Sequence, residues 1–123
     1  CRSHQREKAM GWFFNGRVAA VVGTHTHVAT ADARILPVRQ RGLPATAYIT
    51  DLGMCGAQES VLGRDIEPVL THMTTAMPAP FDTAEGDPRV CGVFIEIDPE
   101  RRRATAIERI ELSANPSLPP YVL

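Results

Sequence analysis

Five apolar residues, Val18-Ala19-Ala20-Val21-Val22, follow one another without alternation and stop at Gly23. The run is far too short to cross a bilayer, which takes roughly 20 residues. It is also too uniform for a strand with one wet face, so Arg17 to Val22 reads as a buried strand in a sheet covered on both sides. With 123 residues and 44% hydrophobic content, the chain can bury one core. The expectation is one domain over residues 1–112, followed by an extended tail from Ser113 to Leu123 that carries Pro116, Pro119 and Pro120.

The segment just after this strand carries chemistry. Gly23-Thr24-His25-Thr26-His27-Val28 delivers two imidazoles one residue apart. In an extended segment alternate residues point the same way, so His25 and His27 are candidates to reach one metal centre together. By spacing alone the rival reading stands beside it: two strand-end histidines facing polar neighbours or solvent.

Around this element the pattern predicts a short helix over Glu7 to Phe14, with Trp12 and Phe13 packing inward, closed by Asn15-Gly16. Ala29 to Pro44, interrupted by Pro37 and Gly42 and carrying Arg34, Arg39 and Arg41, reads as a surface loop. Ala45 to Thr50 reads as a second strand ending at Asp51, which runs into the glycine-rich stretch Gly53 to Gly56, suited to close backbone approach to a ligand or merely to a turn. Glu67 to Met73 reads as a helical turn or two. Val90 to Asp98 and Ala104 to Ile110 read as a hairpin joined at Pro99-Glu100-Arg101.

Thirteen basic and fourteen acidic residues leave a net charge of −1, with no basic face suited to tracking a nucleic-acid backbone, so polymeric DNA or RNA is not an expected partner. No signal-peptide core stands at the start, no membrane association is expected, and a cytoplasmic protein is the default. Cys1, Cys55 and Cys91 are odd in number and lack Cys-x-x-Cys spacing, which favours reduced thiols over a disulfide framework or a zinc knuckle. Cys1 stands where an initiator Met would be, so the sequence reads as a fragment, a processed product or an incomplete reading frame. Asp51 can bind metal, but an Asp at a strand end more often caps a turn. Cys55 between glycines has no base placed beside it. His72 and Arg101-Arg102-Arg103 read as solvated surface.

A longer set of motifs narrows the choice. Gly11-Trp12, Asn15-Gly16-Arg17-Val18, Ala20 to Val28, Thr30-Ala31-Asp32 and Arg34-Ile35-Leu36-Pro37 are followed in order by several more. These are Thr46 to Asp51, Gly53-Met54, Ser60-Val61, Gly63, Cys91-Gly92-Val93 and Arg103 to Ile110. Together they resemble bacterial calcineurin-like metallophosphoesterases known as 2',3'-cyclic-nucleotide 2'-phosphodiesterases, over about residues 7 to 110. The resemblance implies an α/β fold, sheets packed between helices with a two-metal site on loops at their ends. It makes His25 and His27 metal ligands, one to each ion. In such sites two cations about 3.5–4 Å apart hold phosphoryl oxygens and acidify a bridging water. Imidazole ligands suit iron or manganese, with zinc as an alternative, and the implied substrate is a small phosphoester.

The remaining ligands of that family, Asp, Glu and Asn side chains, and its histidine proton donor come from an earlier segment that this sequence does not contain. A further family histidine ahead of the first helix aligns with Cys1, and His4 falls three residues late. Residues Val38 to Leu43 form a longer loop than usual, Cys55 stands where the family often has Thr, and Ala57 where it often has Pro. The expectation is therefore a partial metallophosphoesterase sandwich, the C-terminal portion of the enzyme, inactive alone and prone to self-association through surface meant for the rest. The alternative is a non-catalytic remnant or interaction module that retains weak metal binding.

Overall fold

A computed structural model describes residues 2–114, with side chains from His4 onward. The expectations for Cys1 and for the proline-containing tail fall outside the described residues. Among the described residues eight elements run in order: α1 (Arg2–Phe14), β1 (Ala20–Val22), β2 (Arg34–Ile35), β3 (Ala47–Ile49), β4 (Gly56–Glu59), α2 (Ile66–Thr75), β5 (Gly86–Asp98) and β6 (Arg103–Ser113). The mixed α/β class holds: the described residues form two helices and two three-stranded sheets, ordered β1-β3-β2 and β4-β5-β6. Two compact units result, one from the chain up to Gly53 with Gly92–Ile110, the other from Met54–Cys91 with the end of β6. No described helix is long and apolar enough to cross a membrane.

In the first unit β3 is the central strand. It runs parallel to β1 (Ala20↔Ala47, Val21↔Tyr48, Val22↔Ile49) and antiparallel to β2 (Arg34↔Tyr48, Ile35↔Ala47). All three of its residues are buried, and so are Thr46, Thr50 and Asp51 beside them. The strand covered on both faces is therefore β3. The apolar run before it is shorter than expected and lies at the sheet edge, with Val22 45% exposed. The reason is that alanine and valine fill an edge strand as readily as a central one, so periodicity alone does not rank the two. Buried threonines flanking β3 are satisfied locally: Thr46 Oγ1 donates to the Val18 carbonyl at 2.7 Å, and Thr50 Oγ1 lies 2.9 Å from the Tyr48 hydroxyl.

Helix α1 begins at Arg2, earlier than predicted, and crosses β3 at Gly11. A Cβ on Gly11 would stand 2.4 Å from the Tyr48 ring, so only glycine permits this approach. With Gly11 as the contact, the next two positions turn away, since successive helical residues are separated by about 100°. Trp12 and Phe13 are 37% and 60% exposed rather than packed inward. Phe13 instead meets Phe14 edge to face, and the Arg17 guanidinium lies 4.7 Å from its ring centroid. The segment expected to be wholly loop contains β2, held also by Leu36 N donating to the Thr46 carbonyl at 2.9 Å.

In the second unit β4, a strand not expected from the residues, starts at the last glycine of the Gly53 to Gly56 stretch and pairs antiparallel with β5 (Gly56↔Arg89, Ala57↔Pro88, Glu59↔Gly86). Asp65 caps α2 by accepting from the Ile66 amide, and Ala76 ends it in the left-handed conformation. His72, expected to be solvated, is exposed yet bonded: Nδ1 lies 2.8 Å from the Met77 carbonyl, and its ring meets Phe81 edge-on. In the part of β5 and β6 that belongs to the first unit, the predicted hairpin turn is present, with Asp98 accepting from the amides of Glu100 and Arg101. Strand β6 reaches Ser113, one residue into the segment expected to be tail.

Candidate metal centre

Strand β1 leaves its sheet through Gly23, whose amide donates to the Ile49 carbonyl at 3.1 Å and whose carbonyl accepts from Leu52 at 2.9 Å. A Cβ here would fall 1.9 Å from the Thr50 carbonyl oxygen, so a side chain would force the two strands apart. Beyond Gly23 the chain is not the extended segment that alternation assumed. It bends, and His25 (φ 149°) and His27 (φ 66°) both have positive φ. L-residues avoid that region at a cost of order 1–3 kcal/mol each, so something outside the bend must hold it.

Asp51, at the exit of β3, provides that hold. One carboxylate oxygen, Oδ2, accepts from the Thr26 amide at 2.6 Å and from the Thr26 hydroxyl at 2.7 Å; the other accepts from the Gly53 amide at 2.8 Å. Thr26 is thus drawn toward the sheet, and its two neighbours, His25 and His27, are exposed. The Asp51 carboxyl is held below its ordinary titration range. Burial opposes this, but the Gly53 amide, the Thr26 hydroxyl and amide and the nearby His27 outweigh it. Fully buried and with both oxygens engaged, Asp51 anchors the loop.

A second belt continues the clamp. Thr30 N donates to the Asp51 carbonyl at 3.1 Å, the Asp51 amide donates to Thr30 Oγ1 at 3.0 Å, and Thr30 Oγ1 donates to Asp32 at 2.6 Å. Asp32 also accepts from the Thr50 amide and hydroxyl. Its carboxyl likewise sits low: burial raises it, but the Thr30 and Thr50 hydroxyls, the Thr50 amide and the charge of Lys8 prevail. His4 joins Lys8, Thr30, Asp32 and Thr50 around an open cleft of about 490 Å³. Sequence reasoning missed Thr26 and Asp32 as anchors, because a Thr between two histidines looks no different whether it is solvated or pinned. Cys55 is an exposed free thiol whose Sγ approaches the Cys91 carbonyl at 3.5 Å, with no base placed beside it among the described residues.

Among the described residues no three His, Cys, Asp or Glu side chains converge to hold a metal ion. Neither the His25 nor the His27 ring enters a hydrogen bond there. Two exposed imidazoles on a pinned loop fit part of a coordination shell, with nitrogen donors of the kind that suit iron, manganese or zinc. A complete shell of four to six donors would need ligands beyond these two.

Residues 3–110 match the family model described as YmdB-like protein, and the chain belongs to that family. Several of its relatives carry phosphodiesterase or phosphatase names. It is 49% identical over 102 residues to the 2',3'-cyclic-nucleotide 2'-phosphodiesterase of Bacillus subtilis strain 168, covering 83% of this chain and 36% of that protein. A crystal structure of a novel phosphatase from Mycoplasma pneumoniae superposes with a TM-score of 0.78 at 32% identity, over 89% of this chain and 37% of that one. A hypothetical protein from Thermus thermophilus superposes with a TM-score of 0.77 at 34% identity, over 89% of this chain and 40% of that one. The chain spans about a third of the length of the curated relatives it matches.

Proposed function

We propose that this chain is the C-terminal portion of a metal-dependent phosphodiesterase, a partial calcineurin-like metallophosphoesterase sandwich acting on cyclic nucleotides or related small phosphoesters. The histidine loop carries this reading: two exposed imidazoles stand on a bend with two positive-φ residues, clamped by a buried carboxylate 25 residues away. Strain maintained by dedicated contacts is characteristic of functional sites. In this reading His25 and His27 hold divalent iron or manganese, with zinc as the alternative, and Asp51 fixes them through Thr26. Such ions, when bound, polarise a phosphoryl oxygen and acidify a water. Among the described residues no two-metal ligand set is complete, so in this reading hydrolysis by the chain alone is negligible. A cytoplasmic setting and a tendency to self-associate belong to the same reading.

The rival is a non-catalytic remnant or interaction module with weak metal affinity, favoured by the lack of a third ligand beside the two histidines among the described residues. Mn(II) titration of the wild type, His25→Ala and His27→Ala tests the shared premise. Each variant is expected to bind at least about tenfold more weakly, and wild-type binding to fade on acidification as protons compete for imidazole nitrogen. Equal binding by all three proteins would remove both assignments. With bis(p-nitrophenyl) phosphate and Mn(II) the chain should stay at background. Substantial turnover abolished by His27→Ala would show that its own residues suffice for catalysis.

A further inference from the structure

We propose that the cleft between the last turn of α1 and the 37–43 loop binds a free nucleoside phosphate, through aromatic surface on one wall and two guanidinium groups beside it. The cleft encloses about 590 Å³, within the range of small-molecule sites. Its lining combines the Trp12 and Phe13 rings with Arg17 and Arg39, together with the Gln40 amide and Leu43. No carboxylate lines it, so it carries a formal charge of +2 in a chain whose net charge is −1. Among the described residues neither Arg17 nor Arg39 is in an ion pair or hydrogen-bonded through its guanidinium. A base stacks on exposed aromatic rings with little sequence preference, and a planar guanidinium suits phosphate oxygens in a way ammonium does not.

The walls are fixed before any ligand arrives. Asn15 Nδ2 donates to the Pro37 carbonyl at 2.8 Å, tying the end of α1 to the opposing loop. The Gly16 amide donates to Thr46 Oγ1 at 2.9 Å, and the Leu43 amide closes the loop on the Gln40 carbonyl. Arg17 is oriented by its contact with Phe13, 4.7 Å from the ring centroid. Binding here would therefore order few groups. Asn15 to Arg17 precede β1 and the histidine loop comes after it, so the cleft does not draw on His25 or His27.

Trp12 is the only tryptophan of the chain, so intrinsic fluorescence reports occupancy of the cleft directly. AMP, adenosine and inorganic phosphate are titrated in EDTA, which separates this site from any metal-dependent one, and the AMP constant is checked by calorimetry. AMP is expected to quench Trp12 saturably, with adenosine and phosphate each at least about tenfold weaker, since each lacks one half of the recognition. Arg17→Ala and Arg39→Ala should each weaken AMP about tenfold, the loss expected for one charge-assisted contact. Arg39→Glu, on an exposed loop and checked for folding by far-UV circular dichroism, should abolish binding. His25→Ala and His27→Ala should leave it unchanged. No saturable AMP binding, equal affinity in the wild type and Arg39→Glu, or loss of binding in His25→Ala would overturn the proposal.

Discussion

Replacing Asp51 by alanine tests whether a single buried carboxylate holds the histidine loop. Three donors end on it: the Thr26 amide, the Thr26 hydroxyl and the Gly53 amide. The hydroxyl has a second acceptor within reach, the Val28 carbonyl at 3.3 Å, so its loss is partly recovered. The two amides have no such alternative. A hydrogen bond to a charged group contributes about 1.5–3 kcal/mol, so losing two gives roughly 3–6 kcal/mol, offset in part by water entering the vacated space. We expect Asp51→Ala to lower unfolding stability by about 3–4 kcal/mol, a large share of the 5–15 kcal/mol typical of a domain. Asp51→Asn keeps the shape and the Gly53 bond but sets an NH₂ group against the Thr26 amide, so about 2 kcal/mol is expected. Urea unfolding followed by circular dichroism measures both.

The same variants carry a pH signature. Asp51 and Asp32 both titrate below the ordinary carboxylate value of 3.8 in the folded chain. Between their folded values and about 3.8 the unfolded chain therefore binds more protons, and stability rises with pH. Their contribution is present above the unfolded value and is lost as pH falls through the folded ones. Asp51→Asn should show a shallower acid limb than the wild type. A urea midpoint unchanged in Asp51→Ala, or an acid limb unchanged in Asp51→Asn, would refute the anchoring argument.

Two further variants probe the same region. Gly23→Ala places a Cβ 1.9 Å from the Thr50 carbonyl oxygen and threatens both backbone bonds of Gly23; a loss of about 3 kcal/mol or more is expected in urea unfolding, and a wild-type midpoint would show that the strands separate freely. His27→Gly relieves a positive-φ residue, so in EDTA it should raise unfolding stability by about 0.5–1 kcal/mol while Mn(II) binding falls; an apo protein less stable than the wild type would count against stored strain.

Several elements were legible in the residues because their signals are local. Ala45 to Thr50 carries β-branched and aromatic side chains ending at an Asp, and β3 with its flanking threonines occupies that stretch. The hairpin turn at Pro99 to Arg101 and the helix after Asp65 arise from turn chemistry and capping, which act within a few residues. The Gly-Thr-His-Thr-His element pointed to the family that the chain belongs to. Where the signal is non-local, the residues were ambiguous. Strand β2 is two residues long and exists because β3 and the Thr46 carbonyl receive it, which no propensity over Arg34-Ile35 encodes. Trp12 and Phe13 look like core by composition, yet Gly11 makes the contact with Tyr48 and turns them outward, toward the cleft. The sequence supplied two imidazoles one residue apart. Their backbone conformation was decided by tertiary structure, because positive φ at His25 and His27 is sustained only where Asp51, distant along the chain, holds Thr26 between them.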